Sequence, residues 1–201
     1  MDLSVKIGTG ILYNPVGAAS GTFGYGEEFA ELADFDKIGA IYTKAASPLP
    51  RHGNPPPRII ETPCGMLNAI GLANIGLQEF IIKKLPALTD FRGAVIVNVA
   101  GSDDDEYARV VERLDSENGV WGFEINLSCP NVKKGCIAIG TNPSLVENLT
   151  GRLRRLTEKP LIIKLTPNVT DITIIAKAAE AGGADAVSCI NTLLGMVIDI
   201  R

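Results

Sequence analysis

The segment 124–132, EINLSCPNV, holds the most reactive combination of side chains in the chain. It starts as an apolar strand and then breaks at Pro130, which cannot continue a strand in the interior of a sheet. The polar residues around the break are Asn126, Ser128, Cys129 and Asn131. A thiol has a reference pKa of about 8.5, close enough to neutrality for general base or nucleophilic chemistry. The single histidine, His52, is distant in sequence, so Cys129 is predicted to abstract a proton without a histidine partner.

Similar polar residues follow other apolar runs. They are Ser20, Lys44, Asn68, Asn98, Lys164, Asn191 and Thr192. Several amides together suit a planar ligand edged with carbonyl and N–H groups, such as a pyrimidine or a flavin ring. A lysine in an apolar strand needs an anion nearby, because burying an unpaired ammonium is costly. For Lys44 and Lys164 that anion is either a ligand group (phosphate, carboxylate or reduced flavin) or the carboxylate of a structural ion pair.

The elements that position these side chains alternate between strands and helices. Six apolar runs predict strands at 16–20, 40–44, 94–100, 122–128, 161–166 and 186–191, and a hairpin precedes them over 3–12. Their continuous Val, Ile and Leu content is typical of parallel strands buried on both faces. The polar residues recur at the C-terminal ends of these strands, which favours a (β/α)8 barrel over a doubly wound sheet.

Three helices are predicted between the strands. The first has a capping box formed by Ser102 and Asp105. The second starts at Asn142-Pro143 and its apolar face is predicted to consist of Leu145, Leu149, Leu153 and Leu156. The third runs from Thr170 or Asp171 to Gly182-Gly183. The Pro-rich segment 48–58 is predicted to be a loop.

Composition narrows the class of protein. The 201 residues carry a net charge of -4, which argues against nucleic acid or an anionic membrane as the main partner. No secretory leader or run of 18 apolar residues is visible, and the four cysteines form no C-x-x-C motif. We therefore expect a single cytoplasmic domain over residues 1–201, without a membrane span or a metal site.

Five motifs in this order resemble one family. The segments GNPPPRIIET (53–62), ETPCGMLNAIGL (61–72), INLSCPNV (125–132), KLTPNVTDI (164–172) and INTLLGMVIDI (190–200) are similar to the class 1 dihydroorotate dehydrogenases, specifically the NAD-linked class 1B catalytic subunit. The resemblance implies an FMN-dependent (β/α)8 barrel that oxidises dihydroorotate to orotate in pyrimidine biosynthesis. It also implies a homodimer and a partner subunit that carries FAD and a [2Fe-2S] cluster and passes electrons to NAD⁺.

The same resemblance implies roles for individual residues. Cys129 is the expected catalytic base. The residues expected to bind the substrate are Asn68, Ala69, Ile70, Gly71, Leu72, Asn126, Asn191 and Thr192. The residues expected to bind FMN are Ser20, Lys44, Ala45, Asn98, Asn126, Lys164 and Ile190.

Six strands are fewer than the eight of a complete barrel. We therefore expect the last two βα units, which contain the FMN phosphate loops in this family, to be missing from the chain. Two alternatives to dihydroorotate oxidation follow: a truncated barrel that cannot hold FMN, and a related flavin barrel that acts on reduced pyrimidine bases.

Overall fold

A curled parallel sheet forms the centre of the fold. The computed structural model describes residues 1–29, 31–32, 34–127 and 139–198. Within them the strands are Val5–Ile7 (β1), Gly10–Leu12 (β2), Gly17–Ala18 (β3), Ala40–Tyr42 (β4), Ile59–Thr62 (β5), Gly65–Asn68 (β6), Ala94–Val99 (β7), Gly122–Asn126 (β8), Leu161–Lys164 (β9) and Ala186–Ser188 (β10). The sheet has the order β3-β4-β7-β8-β9-β10, and every neighbouring pair is parallel. All six predicted strands are confirmed.

The helices of the described residues are Ser20–Phe23 (α1), Leu77–Glu79 (α2), Asp104–Asp115 (α3), Pro143–Arg154 (α4) and Ile172–Ala181 (α5). A π-helical turn, Phe80–Lys84, and a 3₁₀ turn, Leu85–Leu88, continue α2. Shorter 3₁₀ turns lie at Glu27–Phe29, Phe35–Lys37 and Ile139–Thr141. The predicted start of α4 is confirmed, because Asn142 caps it and Pro143 is its first residue. The predicted start of α5 is also confirmed, with Asp171 as its cap.

The predicted capping box of α3 is displaced by one residue. The side chain of Asp103, not Ser102, accepts the backbone N–H of Glu106 at 2.8 Å. Glu106 in turn accepts the backbone N–H of Ser102 at 2.7 Å. Asp105 takes no part in the cap and contacts Arg152 on α4 instead. Ser102 and Asp103 are both good N-cap residues, and an acidic residue follows each of them three positions later, so the sequence alone does not distinguish the two capping boxes.

The apolar core lies mainly between the sheet and the helices. Phe123 and Ile125 of β8 and Ile163 of β9 pack there with Val110 of α3 and Leu149 of α4, all fully or almost fully buried. The predicted apolar face of α4 is partly wrong, because Leu145 is exposed and Val146 takes its place in the core. Successive residues of a helix are 100° apart, and Val146 lies three residues before Leu149 and seven before Leu153, so it shares their face.

Two antiparallel hairpins stand outside the parallel sheet. The predicted hairpin pairs β1 with β2. A second hairpin, β5 with β6, was not predicted, because its strand β6 reads GMLN and has little β-branched character. Residues 48–58 contain neither helix nor strand, only an isolated bridge from Arg51 to Asn74.

Candidate active site

The inner face of the sheet, which points away from the helices, has two layers. Its lower layer is apolar and consists of Ala40, Ala94, Ile96 and Ile162, closed by Leu12 of the β1–β2 hairpin. Its upper layer, towards the C-terminal ends of the strands, is polar. Asn98, Glu124, Asn126 and Lys164 lie in this upper layer because β7, β8 and β9 are in register there: Asn98 is paired with Glu124, and Asn126 with Lys164.

Glu124 is at the centre of the upper layer. Its side chain is 2% exposed, and Oε2 accepts a hydrogen bond from Asn98 Nδ2. The ammonium of Lys164, 17% exposed, lies 3.4 Å from the same oxygen. The ion pair and the hydrogen bond together offset the cost of burying the carboxylate. For Lys164, then, the structural ion pair that the sequence also allowed is present.

From Glu124 a chain of three amides crosses the site. Asn126 Nδ2 donates to Asn98 Oδ1 at 3.4 Å, and Asn191 Nδ2 donates to Asn126 Oδ1 at 2.8 Å. Asn191 Oδ1 accepts the backbone N–H of Thr192 at 2.7 Å. We call these three residues, Asn98, Asn126 and Asn191, the amide chain. The structure thus brings together four residues that were predicted from the sequence: Asn98, Asn126, Asn191 and Thr192.

The carbonyl oxygens of the amide chain all accept hydrogen bonds within the protein. The second N–H of the Asn98 amide has no acceptor among the described residues, although its side chain is 2% exposed. An unsatisfied buried donor costs about 1–3 kcal/mol. The amide chain is therefore suited to a ligand that supplies acceptor oxygens.

An open cavity of about 310 Å³ adjoins the upper layer. Three predicted residues line it: Ser20, Lys164 and Ile190. Glu124 and Tyr42 line it as well and were not predicted. Burial, and secondarily the negative charge of Glu124, raises the pKa of Tyr42. The volume is at the lower end of the range, about 300–1,000 Å³, that is usual for small-molecule sites.

Two further predicted residues follow β4. The backbone N–H of Lys44 donates to the carbonyl of Gly24 at 2.7 Å, and Ala45 is buried. The side chain of Lys44 is half-buried, and no carboxylate of the described residues lies within ion-pair distance of it. Of the two lysines, Lys44 is therefore the one whose ammonium has no anion in the part of the chain that is described.

The segment Asn68 to Leu72 is hydrogen-bonded to the loop before β5. It follows the β5–β6 hairpin, and Asn68 and Ala69 are exposed. Its backbone is tied to the loop before β5: Ala69 N–H donates to Arg58 O, and Asn54 N–H donates to Ile70 O. No hydrogen bond between described residues joins this segment to the amide chain.

The predicted base, Cys129, lies outside the described residues, as do Ser128 and Asn131. Within the described ranges, no group of three or more His, Cys, Asp and Glu side chains could hold a metal ion. No helix in those ranges is long and apolar enough to cross a membrane.

Glu124 is the main residue that sequence reasoning missed. A signal was available, because a charged residue stands between Phe123 and Ile125 in an otherwise apolar strand. The alternation of a strand places Glu124 on the face opposite to both neighbours. The same rule applied to β4 separates Tyr42 from Ile41, which packs on the helix side.

Comparison with known proteins gives consistent results. The family model described as dihydroorotate dehydrogenase matches residues 2–201. Two curated relatives, from Thermoanaerobacter sp. and Geotalea daltonii, are 54% and 55% identical over 200 residues, and both are named dihydroorotate dehydrogenase B (NAD(+)), catalytic subunit. All of this chain is covered in both matches, and it spans 66% of each relative, slightly less than two thirds.

A solved structure shares the fold. The crystal structure of DHODH from Eimeria tenella in complex with ferulenol superposes with a TM-score of 0.73 at 24% identity. The match covers 98% of this chain and 61% of that one. The prediction of a (β/α)8 barrel, represented here by six of its strands, is confirmed.

Proposed function

The chain belongs to the dihydroorotate dehydrogenase family, and from this premise we propose that its protein oxidises dihydroorotate to orotate with FMN as the cofactor. The observation that carries the proposal is the amide chain beside Lys164 at the C-terminal edge of β7, β8 and β9. Dihydroorotate and orotate present ring carbonyls and a carboxylate, which are the acceptors that amide N–H groups and an ammonium bind.

The residues present fit a flavin. The cavity combines the apolar side chain of Ile190 with the polar side chains of Ser20 and Lys164, as a flat ring edged with acceptors requires. The buried donor of Asn98 also calls for an acceptor from a ligand. The residues we propose to hold FMN are Ser20, Lys44, Ala45, Asn98, Asn126, Lys164 and Ile190. When bound, FMN accepts the hydride that leaves C6 of dihydroorotate.

On the substrate side we propose that Asn126, Asn191 and Thr192 bind the ring edge, together with the segment Asn68 to Leu72. Asn191 is positioned for this role by its hydrogen bonds to Asn126 and to the backbone of Thr192. The thiolate of Cys129 would remove the proton from C5. Loss of that proton and of the hydride from C6 is a two-electron oxidation, which forms the C5–C6 double bond of orotate.

The words "catalytic subunit" in the relatives' names support the proposal of a partner subunit. We propose that the partner carries FAD and a [2Fe-2S] cluster and transfers the electrons to NAD⁺. A homodimer of the catalytic subunit and a cytoplasmic location complete the proposal.

The experiment is anaerobic reduction of the FMN-loaded protein, followed by flavin absorbance. We expect dihydroorotate to bleach the flavin, orotate to compete, and uracil to have little effect because it lacks a carboxylate. Cys129→Ser should slow the bleaching by about 10²–10⁴-fold, the usual contribution of a general base. Cys64→Ser, which replaces an exposed cysteine between β5 and β6, is the matched control and should leave the rate unchanged. Equal rates for both variants would contradict the assignment of the base.

A further inference from the structure

We propose that Glu124 is the positioning residue of this site: it sets the hydrogen-bond direction of the amide chain and the net charge beside Lys164. The inference rests on the proposed function for its consequences toward substrate and flavin. The role of Glu124 within the chain itself can be tested without either ligand.

Glu124 is buried where a carboxylate is costly. Glu124 is the only charged side chain among the described residues that is buried, and it stands in the middle of an apolar strand. A carboxylate in such a position is expensive to desolvate. An apolar side chain would avoid this cost, so the presence of a carboxylate points to a role in the site.

The hydrogen bonds of the amide chain run in one direction from Glu124. An ionised carboxylate only accepts hydrogen bonds, so the Asn98 amide must turn its nitrogen toward Glu124. Asn98 then presents its oxygen to the nitrogen of Asn126, and Asn126 presents its oxygen to the nitrogen of Asn191. The acceptor-only carboxylate at one end and the donor-only backbone N–H of Thr192 at the other end thus agree on one direction for the three amides between them.

Replacing the carboxylate by an amide would remove this constraint. A glutamine at position 124 can donate as well as accept, so only the backbone N–H of Thr192 would still hold the chain in its present direction. In the reversed direction, Asn126 and Asn191 would exchange donor and acceptor positions toward the substrate. A site that is built to donate loses affinity when a buried acceptor faces the oxygen of its ligand.

Glu124 also balances the charge of Lys164. The ammonium of Lys164 borders the cavity, and Glu124 lies 3.4 Å from it. The carboxylate therefore offsets the positive potential that Lys164 would otherwise exert on an anionic ligand. Removal of the carboxylate charge should favour negatively charged states of whatever occupies the cavity, reduced flavin included.

The decisive experiment is a double-mutant cycle between the two ends of the amide chain. The unfolding temperatures of the full 201-residue protein and its variants are measured without ligand. Asn191→Asp places a second acceptor-only group opposite Glu124, so that no single direction satisfies both ends. Glu124→Gln removes the first constraint. In the double variant Asn98 and Asn126 can then reverse, because the carboxylate at position 191 accepts both from Asn126 and from the backbone N–H of Thr192. We expect each single variant to unfold at a lower temperature than the parent, and the double variant to unfold at a higher temperature than Asn191→Asp.

A matched control separates direction from simple charge repulsion. Cys189→Asp adds the same charge to the lining of the cavity beside Glu124, at an exposed position that has no hydrogen bond to the amide chain among the described residues. We expect Glu124→Gln to give little rescue of Cys189→Asp. Additive effects in the first cycle, or equal rescue in both cycles, would overturn the positioning role. If Glu124→Gln does not fold, Glu124→Asp replaces it: this variant keeps an acceptor-only group and should not rescue Asn191→Asp.

A second measurement tests the charge argument in the FMN-loaded protein. Glu124→Gln should shift the midpoint potential of bound FMN to more positive values by about 30 mV or more, which corresponds to a tenfold stabilisation of the reduced form for a two-electron couple. Glu124→Asp should stay close to the parent value. A negative or absent shift would overturn the charge role.

The two proposals fail in different ways. Inability of dihydroorotate to reduce the bound flavin of the parent protein would contradict the proposed function and leave the thermal cycle intact. Loss of coupling in the cycle would contradict the role of Glu124 and leave dihydroorotate oxidation intact.

Discussion

The two faces of strand β8 differ in what they carry. Phe123 and Ile125 point to the helices and are fully buried in the larger apolar cluster. Glu124 and Asn126, which alternate with them, are almost as deeply buried but lie in the polar upper layer of the inner face. One strand therefore supplies both the packing against the helices and the groups of the candidate active site.

The two faces of the sheet contribute differently to stability and to binding. The outer face is stabilised by apolar burial, at about 25 cal/mol per Å². The upper inner face contains desolvated polar groups, which contribute stability only as far as they satisfy one another. We expect the outer face to determine whether the chain folds and the inner face to determine what it binds.

The largest expected effect is on the outer face. Phe123→Ala removes a fully buried aromatic ring and should lower the free energy of unfolding by about 3–5 kcal/mol. Denaturant unfolding measures this loss. Ile174→Ala, at an exposed position on α5, is the control and should change the free energy by less than about 0.5 kcal/mol. A loss below about 1 kcal/mol for Phe123→Ala would contradict the assignment of this face.

An intermediate effect is expected on the inner face. Lys164→Met keeps most of the aliphatic stem and removes the charge that pairs with Glu124. We expect a loss of about 1–3 kcal/mol, because the carboxylate keeps its hydrogen bond from Asn98 and the cavity admits water. The matched control is Lys83→Met, which breaks an exposed pair with Glu79 and should cost at most about 0.5 kcal/mol. Similar losses for the two variants would show that burial does not distinguish the pairs.

A smaller effect tests the helix layer on the outer face. Asp103→Ala removes the N-cap of α3 and should cost about 1 kcal/mol in urea unfolding. Ser102→Ala replaces the cap predicted from the sequence and should cost less than half as much, since among the described residues the Ser102 hydroxyl is bonded to Arg51 and not to the start of α3. The reverse order would favour the original frame of the capping box.

The smallest effect concerns pH. Burial and the charge of Glu124 raise the pKa of Tyr42, so the folded state holds the phenol proton more tightly than the unfolded state does. This contribution to stability is fully present below about pH 10 and is lost as pH rises through the raised pKa. Tyr42→Phe should therefore lose less stability than the parent between about pH 9 and pH 11, as unfolding midpoints across that range would show. Parallel pH profiles would contradict the shift.

Much of the fold could be predicted because its signals are local. The six parallel strands are continuous apolar runs, and the caps at Asn142 and Asp171 follow from residue type alone. The β5–β6 hairpin was missed because GMLN has weak strand propensity, and pairing with IIET stabilises it only after the chain has turned at Pro63 and Cys64. Propensity describes one segment at a time, whereas strand pairing joins two.

The site was predictable in its members but not in its connections. Asn98, Asn126, Lys164 and Asn191 could be named as residues at strand ends, without any indication of which would touch. The partner of Lys164 could be narrowed to a ligand or a carboxylate, and only the register of β8 against β7 and β9 identified Glu124. The position of the segment Asn68 to Leu72, tied to the loop around Arg58, was likewise not readable from its motif.

By itself the sequence determined the class of fold, the order of the strands along the chain and the types of side chain that end them. These properties depend on apolar periodicity and on residue chemistry, which are features of neighbouring residues. The tertiary structure alone decided that a buried glutamate meets these amides in one hydrogen-bonded chain. Hydrogen bonds between residues 98, 124, 126 and 191 require strands that are far apart in sequence to meet in one register, and no local pattern specifies that register.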